Sequence, residues 1–167
     1  QQTSLFNDLE IGKISKHDFA AQLSATTNLD LPDEKIFEAW NAMLLDFPLR
    51  RLQILQQLRL YYDLVLLSNT NEIHEEAFTQ YLKQIHGVNL ATFFDKVYFS
   101  HHIGMRKPSP EVFTYILEEL GFNATHTLFI DDSPQHVQTA KSLGIQTIYL
   151  EKGMTIEKDI FLPKNTK

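Results

Sequence analysis

The sequence predicts an α/β protein built on a parallel sheet, preceded by a smaller all-helical part. Three observations carry that prediction. Short continuous apolar runs at Leu64–Leu67 and Leu128–Ile130 have the length and composition of strands buried on both faces. Each run ends in polar residues that suit a strand-to-helix turn, and amphipathic helical patterns separate the runs. Before Leu60 there is no strand signal, so the organisation changes there from all-helical to alternating.

Taken in order, Ser15 with Asp18 three residues later forms a capping-box signature that opens a helix through Phe19, Leu23 and Ala25. Leu31-Pro32-Asp33-Glu34 places proline and two acids in a first helical turn, followed by an apolar face of Ile36, Phe37, Trp40, Met43 and Leu44. Trp40 reads as core of this helical region. Pro48 opens a further helix carrying Leu52, Leu55 and Leu58. After the Leu64–Leu67 strand, Ser68-Asn69-Thr70-Asn71 supplies turn and cap chemistry for a helix through Ile73, Ala77, Phe78, Tyr81 and Leu82. Phe93, Phe94 and Val97-Tyr98-Phe99 suggest a second strand. Ser109-Pro110-Glu111 is a helix start with serine as cap and proline at the first position, and Gly121 ends that helix. Ser133-Pro134 repeats the device after the third strand. Gly144 closes that helix, Gln146–Leu150 forms a last strand, and a polar tail follows. The predicted division is residues 1–47 as a helical part and 48–167 as the α/β core.

Composition bounds the function. With 167 residues, 43% hydrophobic and 22% charged, the chain has room for one core domain with a modest insertion. A net charge of −6 gives no basic footprint for nucleic acid or an anionic membrane. The absence of cysteine excludes disulfides, thiolate metal sites and a cysteine nucleophile, and fits a reducing cytoplasmic setting. No apolar run approaches the ~20 residues that span a bilayer. The seven histidines are scattered apart from His101-His102. In a strand, such neighbours point to opposite faces and do not easily share an ion, so they read as ordinary loop histidines.

Three loops hold the chemistry. Ser68, Asn69 and Thr70 fall at the carboxyl end of a strand and the start of a helix, where hydroxyls and free N–H groups hold an anion or simply cap the helix. Lys107, held extended before Pro108, places an ammonium that suits a phosphate, with Arg106 as a competitor for the role. Asp131-Asp132 ends a strand with two adjacent carboxylates, whose repulsion a divalent cation would offset. Mg²⁺ is typically held by one or two carboxylates together with phosphate oxygens. The alternative for this pair is a plain helix cap.

In order and wording, Leu-Leu-Ser-Asn, then Gly-Met-Arg-Lys-Pro-Ser-Pro-Glu-Val-Phe, then Phe-Ile-Asp-Asp-Ser resembles the haloacid dehalogenase superfamily. The resemblance runs over nearly the whole chain. It is closest to the branch with a small helical cap that contains the α-D-glucose-1-phosphate phosphatases. It implies a Rossmann-like core with a helical cap, and Mg²⁺-dependent hydrolysis of a small phosphorylated metabolite, a sugar phosphate or nucleotide. Ser68 would bond the transferring phosphoryl group, with the Asn69 backbone beside it. Lys107 would balance charge on nucleophile and phosphate, while Asp131 and Asp132 would position the metal.

One part of the pattern is absent. The family's Asp-x-Asp, on the central first strand, provides the nucleophile and the general acid/base, and it does not occur in these 167 residues. Removing that strand would bare two strand edges, an aggregation liability. The chain also begins Gln1-Gln2-Thr3 without an initiator methionine. The expectation is therefore a further N-terminal segment of the same protein, missing from the given sequence or cleaved. Three other functions compete: a catalytically silent fragment acting as a binding module, a receiver domain, and a dehalogenase. Receiver domains have the acids before the lysine, the reverse of the order here. A dehalogenase would not need a metal-binding acid pair.

Overall fold

The computed structural model of the chain describes residues 4–161. The polar tail from 162 onward and the first three residues lie outside the described residues. The chain divides into two compact units between Arg106 and Lys107.

The first unit opens with α1 (Ser4–Glu10), α2 (Lys16–Thr27) and α3 (Asp33–Asn41). The capping box is formed: Ser15 Oγ accepts from the Asp18 N–H, and the Asp18 carboxylate accepts from the Ser15 N–H. Asn28, in the left-handed region at φ 54°, ends α2. Leu9, Phe19, Ala20, Ile36 and Ile73 form the core of this part, with Phe6 and Trp40 packed against it. Trp40 stacks on Phe6 at 5.3 Å and meets Phe19 at 5.0 Å, which places it in the core as read from the sequence. Met43 departs from expectation. The helix stops at Asn41, so Met43 leaves the apolar face and is 59% exposed.

Helix α4 (Leu49–Leu58) starts after Pro48 and buries Leu52 and Ile54. Strand β1 (Val65–Ser68) leads to α5 (Glu72–Tyr81), which Asn71 caps by accepting from the His74 N–H. Strand β2 (Lys96–Phe99) pairs parallel with β1, from Val65 opposite Lys96 to Ser68 opposite Phe99. Asp95 sets that register. Its Oδ2 accepts from the Leu64 N–H, its own N–H donates to the Leu64 carbonyl, and Arg59 Nε donates to its Oδ1. Phe93 and Phe94 lie before the strand rather than in it. Phe93 joins Leu52 and Leu82 in a second apolar cluster. The one-turn helix α6 (Ser100–Ile103) follows β2 at once.

In the second unit, α7 (Pro110–Leu120) buries Val112, Phe113 and Ile116, and ends at Gly121 with φ 65°. Strand β3 (Leu128–Asp131) pairs parallel with β4 (Gln146–Tyr149), from Leu128 opposite Gln146 to Asp131 opposite Tyr149. Helix α8 (Pro134–Ser142) connects them, packing Ala140 into the interior. Phe113 meets Phe129 edge-on at 5.1 Å, tying α7 to the sheet.

Two expectations are corrected here. Ser109 and Ser133 occupy the cap positions, yet neither side chain accepts a helix N–H. Each hydroxyl turns instead to a side chain of the next turn, Ser109 to Glu111 and Ser133 to Gln135. The strands are also less covered than their apolar runs suggest. All four residues of β1 are half-buried, and Leu128 at the start of β3 is 47% exposed. Among the described residues β1 pairs with β2 alone and β3 with β4 alone, so neither strand lies inside a wider sheet. No helix among the described residues is long and apolar enough to cross a membrane.

Candidate active site

In the second unit, the sequence-predicted lysine comes together with the first acid of the pair. Lys107 precedes α7 and Asp131 ends β3. Lys107 Nζ donates to Asp131 Oδ2 at 2.7 Å, with the two side chains only 9% and 8% exposed. The ammonium also lies 5.4 Å from the centre of the Phe129 ring, two residues before Asp131 on the same strand. The other carboxylate oxygen, Asp131 Oδ1, accepts from the Ser133 N–H at 2.8 Å and lies 3.1 Å from His136 Nδ1. Burial alone would push the Asp131 carboxyl up. The hydrogen bond and charge of Lys107, the Ser133 N–H and His136 outweigh it, and the group is held below the ordinary carboxylate value. Asp131 is thus fixed in the ionised state. Asp132, one residue on, is exposed.

This geometry also separates the competing readings of the two basic residues. Arg106 belongs to the first unit, where its guanidinium binds Asn7 and lies 3.0 Å from Glu10 Oε2, both on α1. Lys107 is the residue that meets Asp131.

In the first unit, Ser68 is the last residue of β1 and Asn69 follows it, both half-buried. The loop they open is held from below by Ser100, a residue that sequence reasoning missed. Ser100 is fully buried. Its hydroxyl accepts from the Thr70 N–H at 3.0 Å and donates to the Thr70 carbonyl at 2.9 Å. A serine directly after an apolar strand is the sequence signal that marks it, but the strand it ends was itself weakly defined. Because both backbone groups of Thr70 depend on that hydroxyl, Ser100→Ala is expected to destabilise the protein by about 2 kcal/mol, measured by urea unfolding. An unchanged midpoint would show that the loop holds itself.

Asn71 and His74 extend the same support toward α3. Asn71 Nδ2 is 3.3 Å from His74 Nδ1, and His74 Nε2 is 3.2 Å from the Trp40 carbonyl. The imidazole stacks on the Trp40 ring at 5.8 Å. Burial pulls the His74 pKa down, more strongly than the Trp40 carbonyl and Glu10 raise it, so this histidine is neutral at physiological pH.

The histidine expectation needs correcting. His101 and His102 lie on α6, not on a strand, and their Nε2 atoms are 2.8 and 2.9 Å from the same oxygen of Glu75.

Comparison with known proteins gives a consistent picture. The family model for haloacid dehalogenase-like hydrolases matches residues 53–150. A D-ribitol-5-phosphate phosphatase of Bacteroides thetaiotaomicron is 31% identical over 165 residues, covering 99% of this chain and 80% of its own length. A HAD family enzyme of the same organism was solved as an aspartate-to-alanine mutant in complex with magnesium and inorganic phosphate. It superposes with a TM-score of 0.88 at 33% identity, over 93% of this chain and 77% of that one. A predicted HAD-like family hydrolase from Porphyromonas gingivalis gives 0.84 at 34% identity, over 91% of this chain and 74% of its own.

Proposed function

This chain belongs to the haloacid dehalogenase-like hydrolase family, and we propose that it is the greater part of a Mg²⁺-dependent phosphatase acting on a small sugar or polyol phosphate. The observation that carries the proposal is the buried Lys107–Asp131 pair with exposed Asp132 beside it. An ion pair serving stability alone would not require a second acid left in solvent at the strand end. The similar D-ribitol-5-phosphate phosphatase named above supports the substrate class.

The donor set suits Mg²⁺, since Asp131 and Asp132 offer carboxylate oxygens without nitrogen or sulfur. Asp132 would ligate the ion directly. Asp131, with both oxygens already engaged by Lys107, Ser133 and His136, would act through water. When bound, the ion supplies charge neutralisation for the phosphoryl oxygens. The remaining work falls to the chain's own side chains. Ser68 Oγ and the Asn69 N–H hydrogen-bond the phosphoryl group. Lys107 contributes positive charge toward the incoming carboxylate and phosphate while keeping Asp131 ionised. Transfer of a phosphoryl group leaves little covalent chemistry for the protein beyond such placement and electrostatics.

The attacking carboxylate is assigned to residues outside these 167. It forms a bond to phosphorus as the phosphate ester bond breaks, and the alcohol leaves with a proton from a general acid. Water then hydrolyses the aspartyl phosphate, releasing inorganic phosphate and regenerating the carboxylate. Two facts support the assignment. No Asp-x-Asp occurs in the sequence, and among the described residues β1 and β3 each pair on one side only. Residues 1–47 are proposed as part of the cap and 48–167 as the core, working in the cytoplasm. No observation separately favours a silent binding module.

The test is phosphate release with Mg²⁺ over a panel of sugar phosphates, polyol phosphates including D-ribitol 5-phosphate, and nucleotides. The 167-residue chain is expected to be inactive, and the chain extended by its native N-terminal segment to be active, fastest on a sugar or polyol phosphate. Turnover by the 167 residues alone would overturn the assignment of the nucleophile. Failure of the extended protein on every substrate would overturn the phosphatase itself.

A further inference from the structure

We propose that Glu75, His101 and His102 form a binding site for a zinc-class divalent ion, one of the borderline first-row transition metals. The three residues come from two helices of the first unit. Glu75 is half-buried on α5, one turn after the cap at Asn71, while His101 and His102 are consecutive on α6. Both Nε2 atoms point at one oxygen, Glu75 Oε2, from 2.8 and 2.9 Å, and one ligand atom from each residue lies within 4.8 Å of the others.

Consecutive residues on a helix diverge by about 100° around its axis, so their side chains do not normally meet at one point. Here α6 is a single turn, and the ring of Phe99 just before it packs against both imidazoles. It stacks on His101 at 5.8 Å and 15° and meets His102 edge-on at 5.6 Å. The two histidine rings are themselves 4.3 Å apart. Local packing thus turns both nitrogens toward the same carboxylate.

A single hydrogen-bonded pair would satisfy Glu75 with one histidine. The convergence of two imidazole nitrogens on one oxygen is the donor set of a metal site, two nitrogens and a carboxylate, with room for solvent as the fourth ligand. Zinc bonds of about 2.1 Å in tetrahedral array set neighbouring ligand atoms about 3.4 Å apart. The two histidine-to-Glu75 spacings therefore need to open by only about 0.5 Å to admit the ion. Nitrogen ligands also select the element. Imidazole suits zinc, copper and nickel, whereas Mg²⁺ prefers oxygen.

Exposure is graded as such a site requires. The His101 side chain is 6% exposed and Glu75 27%, so two ligands are held by packing, while His102 at 56% leaves a way in. Among the described residues His101 Nδ1 is buried without a hydrogen-bond partner. Moving the ring proton from Nε2 to Nδ1 frees the ligating lone pair and breaks no bond at Nδ1.

The position gives the ion a consequence. α5 starts directly after the loop of Ser68 to Asn71, and α6 starts with Ser100, whose hydroxyl holds Thr70 of that loop. An ion bridging Glu75 to His101 and His102 ties these two helix starts together, and so stiffens the loop that carries Ser68. This inference stands whether or not the protein is a phosphatase.

The test uses Co²⁺ as a spectroscopic substitute for zinc on the untagged chain. The expected result is one equivalent of Co²⁺ bound with visible d–d absorption, displaced by Zn²⁺ and unaffected by excess Mg²⁺. Glu75→Gln and His102→Ala, both at partly exposed positions, are each expected to weaken Co²⁺ binding by at least the ~10-fold that loss of an outer-shell partner causes. Circular dichroism should stay native in both variants, and Zn²⁺ should raise the melting temperature of the parent chain only. Absence of the cobalt absorption, displacement by Mg²⁺, or unchanged affinity in either variant would overturn the site.

Discussion

Replacing Lys107 with methionine is expected to lower the stability of the protein by about 3 kcal/mol and its phosphatase turnover by about 10²–10³-fold. The stability cost follows from what remains. Methionine matches the length of the lysine stem and keeps contact with Phe129, so the change isolates the ammonium. Without it, Asp131 is a carboxylate whose side chain is 8% exposed, taken out of water with its strongest partner gone. Breaking a buried pair typically costs about 3–5 kcal/mol. The lower end applies because the Ser133 N–H and His136 still hold the other oxygen. The expected catalytic loss has a different origin, the absence of the charge that Lys107 is proposed to supply to the phosphoryl group. Urea unfolding reads the first effect and phosphate release by the extended protein the second. A stable variant with full turnover would remove Lys107 from both roles.

The same pair gives the acid limb of the stability profile a definite sign. The carboxyl of Asp131 titrates lower in the folded chain than its unfolded value of 3.8. Its contribution is therefore fully present above that value and is lost as pH falls through the lower folded pKa. Asp131→Asn should weaken the protein at neutral pH and flatten its decline below pH 4 or so.

The elements that the sequence made legible are those set by local chemistry. Ser15 and Asp18 announce a capping box and form one. Gly121 ends a helix because a left-handed residue is needed there, and the apolar runs at β1 and β3 mark strands to within a residue. The positions of the acid pair and Lys107 depend on local chemistry too: Asp131 ends β3, and Lys107 stands in the turn just before α7. What stayed hidden depends on partners far along the chain. Ser100 matters through Thr70, thirty residues earlier. His101 and His102 were misread because their secondary structure decides their direction, and one turn of helix brings to Glu75 what a strand would separate. Ser109 and Ser133 show the reverse failure. The cap signature predicts the helix start correctly, yet neighbouring side chains take the hydroxyls away from the cap.

Asp132 offers the sharpest separation between structure and chemistry, because its carboxylate is exposed and Asp132→Asn removes one charge with little change of shape. Surface changes of this kind usually alter stability by no more than about 0.5 kcal/mol. The expected result is therefore a native fold and an unfolding midpoint close to that of the parent chain, measured without metal. Turnover with Mg²⁺, by contrast, is expected to fall by at least about 10³-fold in the extended protein, since the proposed direct ligand of the ion is lost. A second readout does not depend on turnover. Mg²⁺ at a hundred times its dissociation constant stabilises a folded protein that binds it by about 2.7 kcal/mol. That increment should be present in the parent protein and vanish in Asp132→Asn. Asp131→Asn should behave differently, losing stability before any metal is added, because its carboxylate is part of the buried pair with Lys107. If both variants lose stability alike, Asp132 is structural. If Asp132→Asn keeps both its Mg²⁺ increment and its turnover, the metal is held elsewhere, and the exposed acid at the end of β3 is only the first turn of a helix.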